Sequence, residues 1–318
     1  MTNYLPWIEK YRPQNFSEII SNKQNIIILE NMLNDNSLPH LLFYGISGTG
    51  KTSTITSLAK KLYKNNVNLM VMKLDASDDR GINTVREEIK GFAEKKSMFQ
   101  KGVKLIILDE ADSMTFDAQF ALRRIIEKYS DLTRFCLICN YENKIIPALR
   151  SRCANFRFNP IEKKEIFSTI QNISYKENLS ITIKAIDIIT DLSNGDLRKG
   201  INFLQSISMK SIYIDENICY ESAGLLTEND IELFYSLLIN ITNNFKDTYN
   251  KLNDIIKKNN CSLDIILKEL TLKILKDKSL KNKAHILSNL SDLENKITKS
   301  IFTDIYISTL ISIFIDNN

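Results

Sequence analysis

The chain has 318 residues, 43% of them hydrophobic, enough to bury a sizeable core and to predict two or three domains. No stretch approaches eighteen uninterrupted apolar residues and the N-terminus lacks a signal-peptide pattern, so a soluble intracellular protein with no membrane partner is expected. Net charge is +4 but uneven: residues 1–160 hold 23 Lys+Arg against 17 Asp+Glu, or +6, and the remainder is −2, which favours a polyanionic partner for the N-terminal half.

The first apolar run, Leu41–Tyr44, feeds directly into Gly45-Ile46-Ser47-Gly48-Thr49-Gly50-Lys51-Thr52. This G-x-x-x-x-G-K-T spacing is a phosphate cradle. Its glycines let successive N–H groups turn toward β- and γ-phosphates, Lys51 brings a mobile positive charge, and the Thr52 hydroxyl can ligate Mg²⁺. A helix predicted over Thr52–Tyr63, with Ser53 in its first turn, would place the phosphates at a positive helix terminus. The competing reading is a glycine-rich turn, but strand, loop and helix occur in the order that nucleotide binding requires.

Further β-type runs occur at Leu69–Leu74, Val103–Leu108, Arg134–Cys139 and Asn155–Phe158, separated by helical periodicity at Ile82–Ala93 and Ala118–Tyr129. Such alternation predicts an α/β fold, a parallel sheet with ligands at the carboxyl ends of its strands. The third run ends in Asp109-Glu110-Ala111-Asp112. Asp109 is expected to hold Mg²⁺ through water, and Glu110 to orient and deprotonate the attacking water. Without a phosphate loop, the same four residues would read as an exposed acidic helix start.

The fourth run delivers Asn140, whose amide could bond the γ-phosphate or the attacking water, or could simply cap the next turn. Before the fifth run, Pro147-Ala148-Leu149-Arg150-Ser151-Arg152-Cys153 presents two arginines, either an arginine finger or a surface turn. Beyond Pro160 the strand signal nearly vanishes, and amphipathic helices follow at Lys163–Ser174, Ile181–Leu192, Asp196–Ile207, Asp230–Asn240 and onward to Ile315. Arg198, at the start of the third of these, could fold onto the nucleotide or could be a solvated helical arginine.

Five cysteines at irregular spacing argue against a disulfide framework. Cys136 and Cys139 are three apart on an expected strand, hence on opposite faces, so they read as buried structural thiols rather than metal ligands. The boundaries fall near Pro160 and near Leu226–Asn229. They divide the chain into a P-loop domain (1–160) and two helical modules, 161–226 and 227–318.

Taken together, these residues resemble the AAA+ ATPases, and more narrowly the small subunits of replication factor C, the sliding-clamp loader. Pro6-Trp7-Ile8-Glu9-Lys10-Tyr11-Arg12-Pro13, Leu38-Pro39-His40-Leu41-Leu42 before the loop, Asp75-Ala76-Ser77-Asp78-Asp79-Arg80-Gly81, and Ser151-Arg152-Cys153 all look like motifs of that family. The similarity covers about residues 4–210 and is only architectural beyond.

The resemblance implies that Arg152 is a finger entering a neighbouring subunit's ATP site, that Asn140 and Arg198 are the two sensors, and that Ile8, Arg12 and Ile20 surround the adenine. It also implies Mg²⁺ with ATP, and an ATPase domain, lid and collar arranged five to a spiral with other loader subunits. The partners implied are a sliding clamp and primer-template DNA gripped without base readout; the candidate DNA contacts are Arg80, Arg86 and Lys90. A nuclear location is expected, or the replication compartment of a large DNA virus. Two other functions stay open: a scaffold subunit that binds ATP with little turnover, and another AAA+ motor such as a branch-migration helicase subunit.

Three departures from the family pattern stand out. Ile46-Ser47 replaces the usual Pro-Pro of the loop, Arg150 sits where the residue is usually uncharged, and the collar diverges.

Overall fold

The computed structural model describes residues 5–35, 37–76, 82–94, 102–240, 245–259, 261–277, 280, 282–300 and 304–315; for residues 82–86 and 304 it describes backbone only. The chain forms two compact units, Met1–Ser180 with Ile186–Ile212, and Ile181–Ala185 with Tyr213–Asn318.

In the first unit, β1 (His40–Tyr44), β2 (Val71–Asp75), β3 (Lys104–Asp109), β4 (Thr133–Cys139) and β5 (Cys153–Arg157) make one parallel sheet in the order β2-β3-β4-β1-β5. Strands β1, β3 and β4 lie inside the sheet, which explains why each is an almost continuous apolar run: both of their faces are covered. Side chains alternate between two cores. Leu41, Phe43, Leu105, Ile107, Cys136 and Ile138 pack with the helix Lys51–Tyr63, whereas Leu42, Ile106, Leu108, Phe135, Leu137 and Cys139 pack with the helix Phe116–Tyr129. Cys136 and Cys139 therefore do fall on opposite faces of the sheet.

The expected strands hold to within two residues at their ends. The second starts two residues later than expected, because Leu69 and Met70 close a short helix, Val67–Met70, that turns the chain into β2. Thr115 caps the start of the helix Phe116–Tyr129 by accepting from the Ala118 N–H, and that helix packs against β4.

The second unit is helical, with Phe234, Leu252, Leu267, Leu270, Leu290 and Phe314 in its core. One feature there escaped the sequence reading. Ile181 is extended rather than helical, and the neighbouring Thr182 N–H donates to the Ile214 carbonyl at 3.0 Å. Residues 161–226, read above as one module, contribute to both units. Among the described residues no helix is long and apolar enough to cross a membrane.

Candidate nucleotide site

At the carboxyl end of the sheet, β1 runs into a loop whose glycines are conformationally obligatory. Gly48 and Gly50 have φ of +65° and +93°, where a side chain would be strained. Gly45 has φ of +139°, and a Cβ on it would stand 2.2 Å from the Phe158 carbonyl oxygen. The loop curls around Lys51, which is 7% exposed. Its ammonium donates to the carbonyls of Gly45 and Ile46 at 2.6 and 2.7 Å and to Asn140 Oδ1 at 3.1 Å. Burial lowers the pKa of this amine, and the carboxylates of Asp109 and Asp112 oppose the shift.

Thr52 donates its hydroxyl to Asp109 Oδ2 at 3.1 Å, so the two oxygens expected to serve Mg²⁺ are adjacent. Hydroxyl and carboxylate are hard donors of the type Mg²⁺ selects. Lys73 Nζ lies 3.6 Å from the same carboxylate oxygen. Glu110 follows with φ of +53°, an unusual value for a non-glycine residue that costs about 1 kcal/mol and must be held by its surroundings. The Ser113 hydroxyl does part of this by donating to the Glu110 carbonyl at 2.7 Å.

These groups share one cleft of about 250 Å³. Ile8, Arg12, Pro13, Ile19 and Ile20 line one side of it, Ser47, Gly48, Thr49, Gly50, Lys51, Thr52 and Ser53 the floor, Asp109, Glu110 and Asn140 the strand ends, and Leu197, Arg198 and Ile201 a helix beyond. The cleft thus gathers the expected cofactor-binding and catalytic residues, with three exceptions. Gly45 and Ile46 do not line it, although their carbonyls accept from Lys51, which does. Arg152 also lies outside it.

Arg152 Nη2 lies 2.5 Å from Glu127 Oε1, and Nη1 donates to the Ala148 carbonyl at 2.7 Å. Its side chain is 35% exposed, so it is not sequestered in its own fold. The Arg123 hydrogen bond, with Arg152 next to it, holds the Glu127 carboxyl below the usual carboxylate range. Arg150 is directed elsewhere, with Nη1 at 3.3 Å from Glu142.

A family model described as "ATPase family associated with various cellular activities (AAA)" matches residues 41–161, the stretch from β1 to just past β5. The chain is 45% identical over 98% of its length to a probable replication factor C subunit 5 of Dictyostelium discoideum, covering 90% of that protein. It is 42% identical to replication factor C subunit 3 of Schizosaccharomyces pombe, over 97% of this chain and 90% of that one. The chain belongs to the replication factor C small-subunit family. It is therefore an AAA+ ATPase, and the second unit, which the sequence motifs did not reach, is included in the match.

Among solved structures, the Holliday junction branch migration motor RuvB of Thermotoga maritima aligns with a TM-score of 0.54 at 18% identity, over 80% of this chain and 87% of that one. That likeness shows the fold alone.

Two residues of this replication factor C family member were not among the candidates. Asp112 Oδ2 accepts the N–H groups of Asn140 and Tyr141, both at 3.2 Å, and so fixes where Asn140 leaves β4. The Asn140 amide is thereby turned to Lys51 rather than capping the next turn. Asp112 was visible as the last acid of Asp109–Asp112, but nothing local tied it to a residue 28 positions on. The other is Asp196, an acid placed at the N-cap position before Leu197.

Of the DNA candidates, Lys90 is exposed with its ammonium 4.0 Å from Glu94. Arg86 lies on the helix Ile82–Glu94, its side chain outside the described residues, as is Arg80 altogether.

Proposed function

We propose that this ATPase is a subunit of a clamp loader, using ATP binding and hydrolysis to open a sliding clamp and place it on primer-template DNA. The convergence of Lys51, Asn140, Thr52 and Asp109 in one cleft carries the reading, together with relatives named as replication factor C subunits that match nearly end to end. In this reading Ile8, Arg12 and Ile20 enclose the adenine, the loop amides and Lys51 bind the phosphates, and Thr52 and Asp109 hold Mg²⁺. The metal would neutralise charge building on the phosphoryl oxygens.

Glu110 takes the proton of the attacking water, Asn140 orients that water or the γ-phosphate, and Arg198 closes over the phosphates. Arg152 completes the site of an adjacent subunit in a hetero-pentamer. Arg80, Arg86 and Lys90 meet DNA phosphates without reading bases, which makes binding salt-dependent. The division into ATPase domain, lid and collar, and a nuclear location, belong to the same proposal.

Steady-state phosphate release by the chain, alone and assembled with related subunits, clamp and primed DNA, tests it. The isolated chain should turn over slowly, and the full assembly should raise the rate. A Lys51→Ala variant that kept the stimulated rate contributed by this chain's own site would remove the catalytic assignment.

A further inference from the structure

Asp196 is a carboxylate in the interior, 4% exposed, with no part in the nucleotide chemistry above. Such a group is tolerated only where its oxygens are paired. Oδ1 accepts the N–H groups of Arg198 and Lys199 at 2.9 and 3.3 Å, capping the helix Leu197–Ser208. Oδ2 accepts the hydroxyl of Ser47, which stands in the phosphate loop 149 positions away. Gly48 makes the approach possible, since a Cβ there would lie 1.7 Å from Asp196 Oδ1. Ser47 and Arg198 both line the cleft, so one buried carboxylate joins the loop under the phosphates to the helix that carries Arg198.

We propose that the Ser47–Asp196 hydrogen bond is a latch that sets where Arg198 stands over the phosphates, making Ser47 and Asp196 positioning residues for ATP hydrolysis. The proposal rests on the cleft being the ATP site. A helix moves as a rigid element, and a misplacement of about 1 Å at a reacting centre costs about 100-fold in rate. The bond is charge-assisted, hence stronger than one between neutral groups. A side chain without a hydroxyl could not donate to Asp196; the latch is a consequence of Ser47 in this chain.

A double-mutant cycle on the full-length chain tests the proposal. The readouts are affinity for a fluorescent ATP analogue and turnover at saturating ATP in the assembled complex. Ser47→Ala should weaken affinity by about tenfold and lower turnover, and Ser47→Thr, which keeps the hydroxyl, should restore both. In an Arg198→Ala background, Ser47→Ala should cost nothing further. Equal losses with and without Arg198, or no loss at all, would overturn the latch. Asp196→Asn, which keeps an acceptor for the helix cap but removes the charge, runs the same cycle should Ser47→Ala not fold. Failure of the ATP-site reading would look different, because Lys51→Ala would then bind the analogue as well as the unmodified chain.

Discussion

Replacing Arg152 by Ala separates a structural arginine from one lent to a neighbour, because the two roles differ greatly in expected size. Among the described residues Arg152 makes one ion pair, to Glu127 at 2.5 Å, and one bond to the Ala148 carbonyl at 2.7 Å. Both partners survive its loss. Glu127 keeps Arg123 Nε at 3.0 Å, and the pair is more than a third exposed, so no buried charge is stranded. The thermal midpoint should therefore fall by no more than about 2 °C.

A finger acting in trans is worth about 10³ to 10⁵ in turnover. The assay is phosphate release by the complex assembled with the variant, resolved to the neighbouring site by silencing the other phosphate loops. Arg150→Ala serves as the control, since Arg150 faces Glu142 and should leave that rate alone. An Arg152→Ala complex with undiminished neighbouring turnover would refute the assignment. So would a midpoint lowered by more than about 5 °C, which would mark Arg152 as structural.

Gly48→Ala combines a φ of +65° with a Cβ 1.7 Å from Asp196, so nucleotide affinity measured by fluorescence titration should drop by at least about tenfold. Asp112→Ala removes the acceptor that anchors Asn140; turnover of the assembled complex should fall about tenfold with KM nearly unchanged, and a rise in KM alone would contradict that role. His40 is held neutral, its pKa lowered to about 4 by burial and by Arg134. The unfolded chain binds the proton first, so stability should decline as pH falls from 6.5 toward 4 and level off below. Urea midpoints across that window should lose this part of their slope in His40→Gln, and an unchanged slope would exclude His40 as the cause.

Much of this site is legible in one dimension because its chemistry depends on local spacing. Gly45 to Thr52 must follow a strand and open a helix, and acids at the end of Val103–Leu108 must emerge on the ligand side of a parallel sheet. Continuous apolar runs such as Leu105–Leu108 announce a strand buried on both faces, and the β1 to β5 runs were placed to within a few residues. What needed the folded chain were pairings between distant segments. Neither Asp112 with Asn140 nor Ser47 with Asp196 has a repeat, period or spacing to betray it, because an acid chooses its partner by where the strand order and the helix ends bring donors together.

The same holds for the order β2-β3-β4-β1-β5, which places Asn140 beside Lys51 by setting β4 next to β1. It holds also for Arg152, whose attachment to Glu127 across 25 positions depends on the helix Phe116–Tyr129 lying against the turn before β5. Local backbone and side-chain preferences are written residue by residue. The meeting of polar groups far apart in the chain is settled only when the apolar faces have packed.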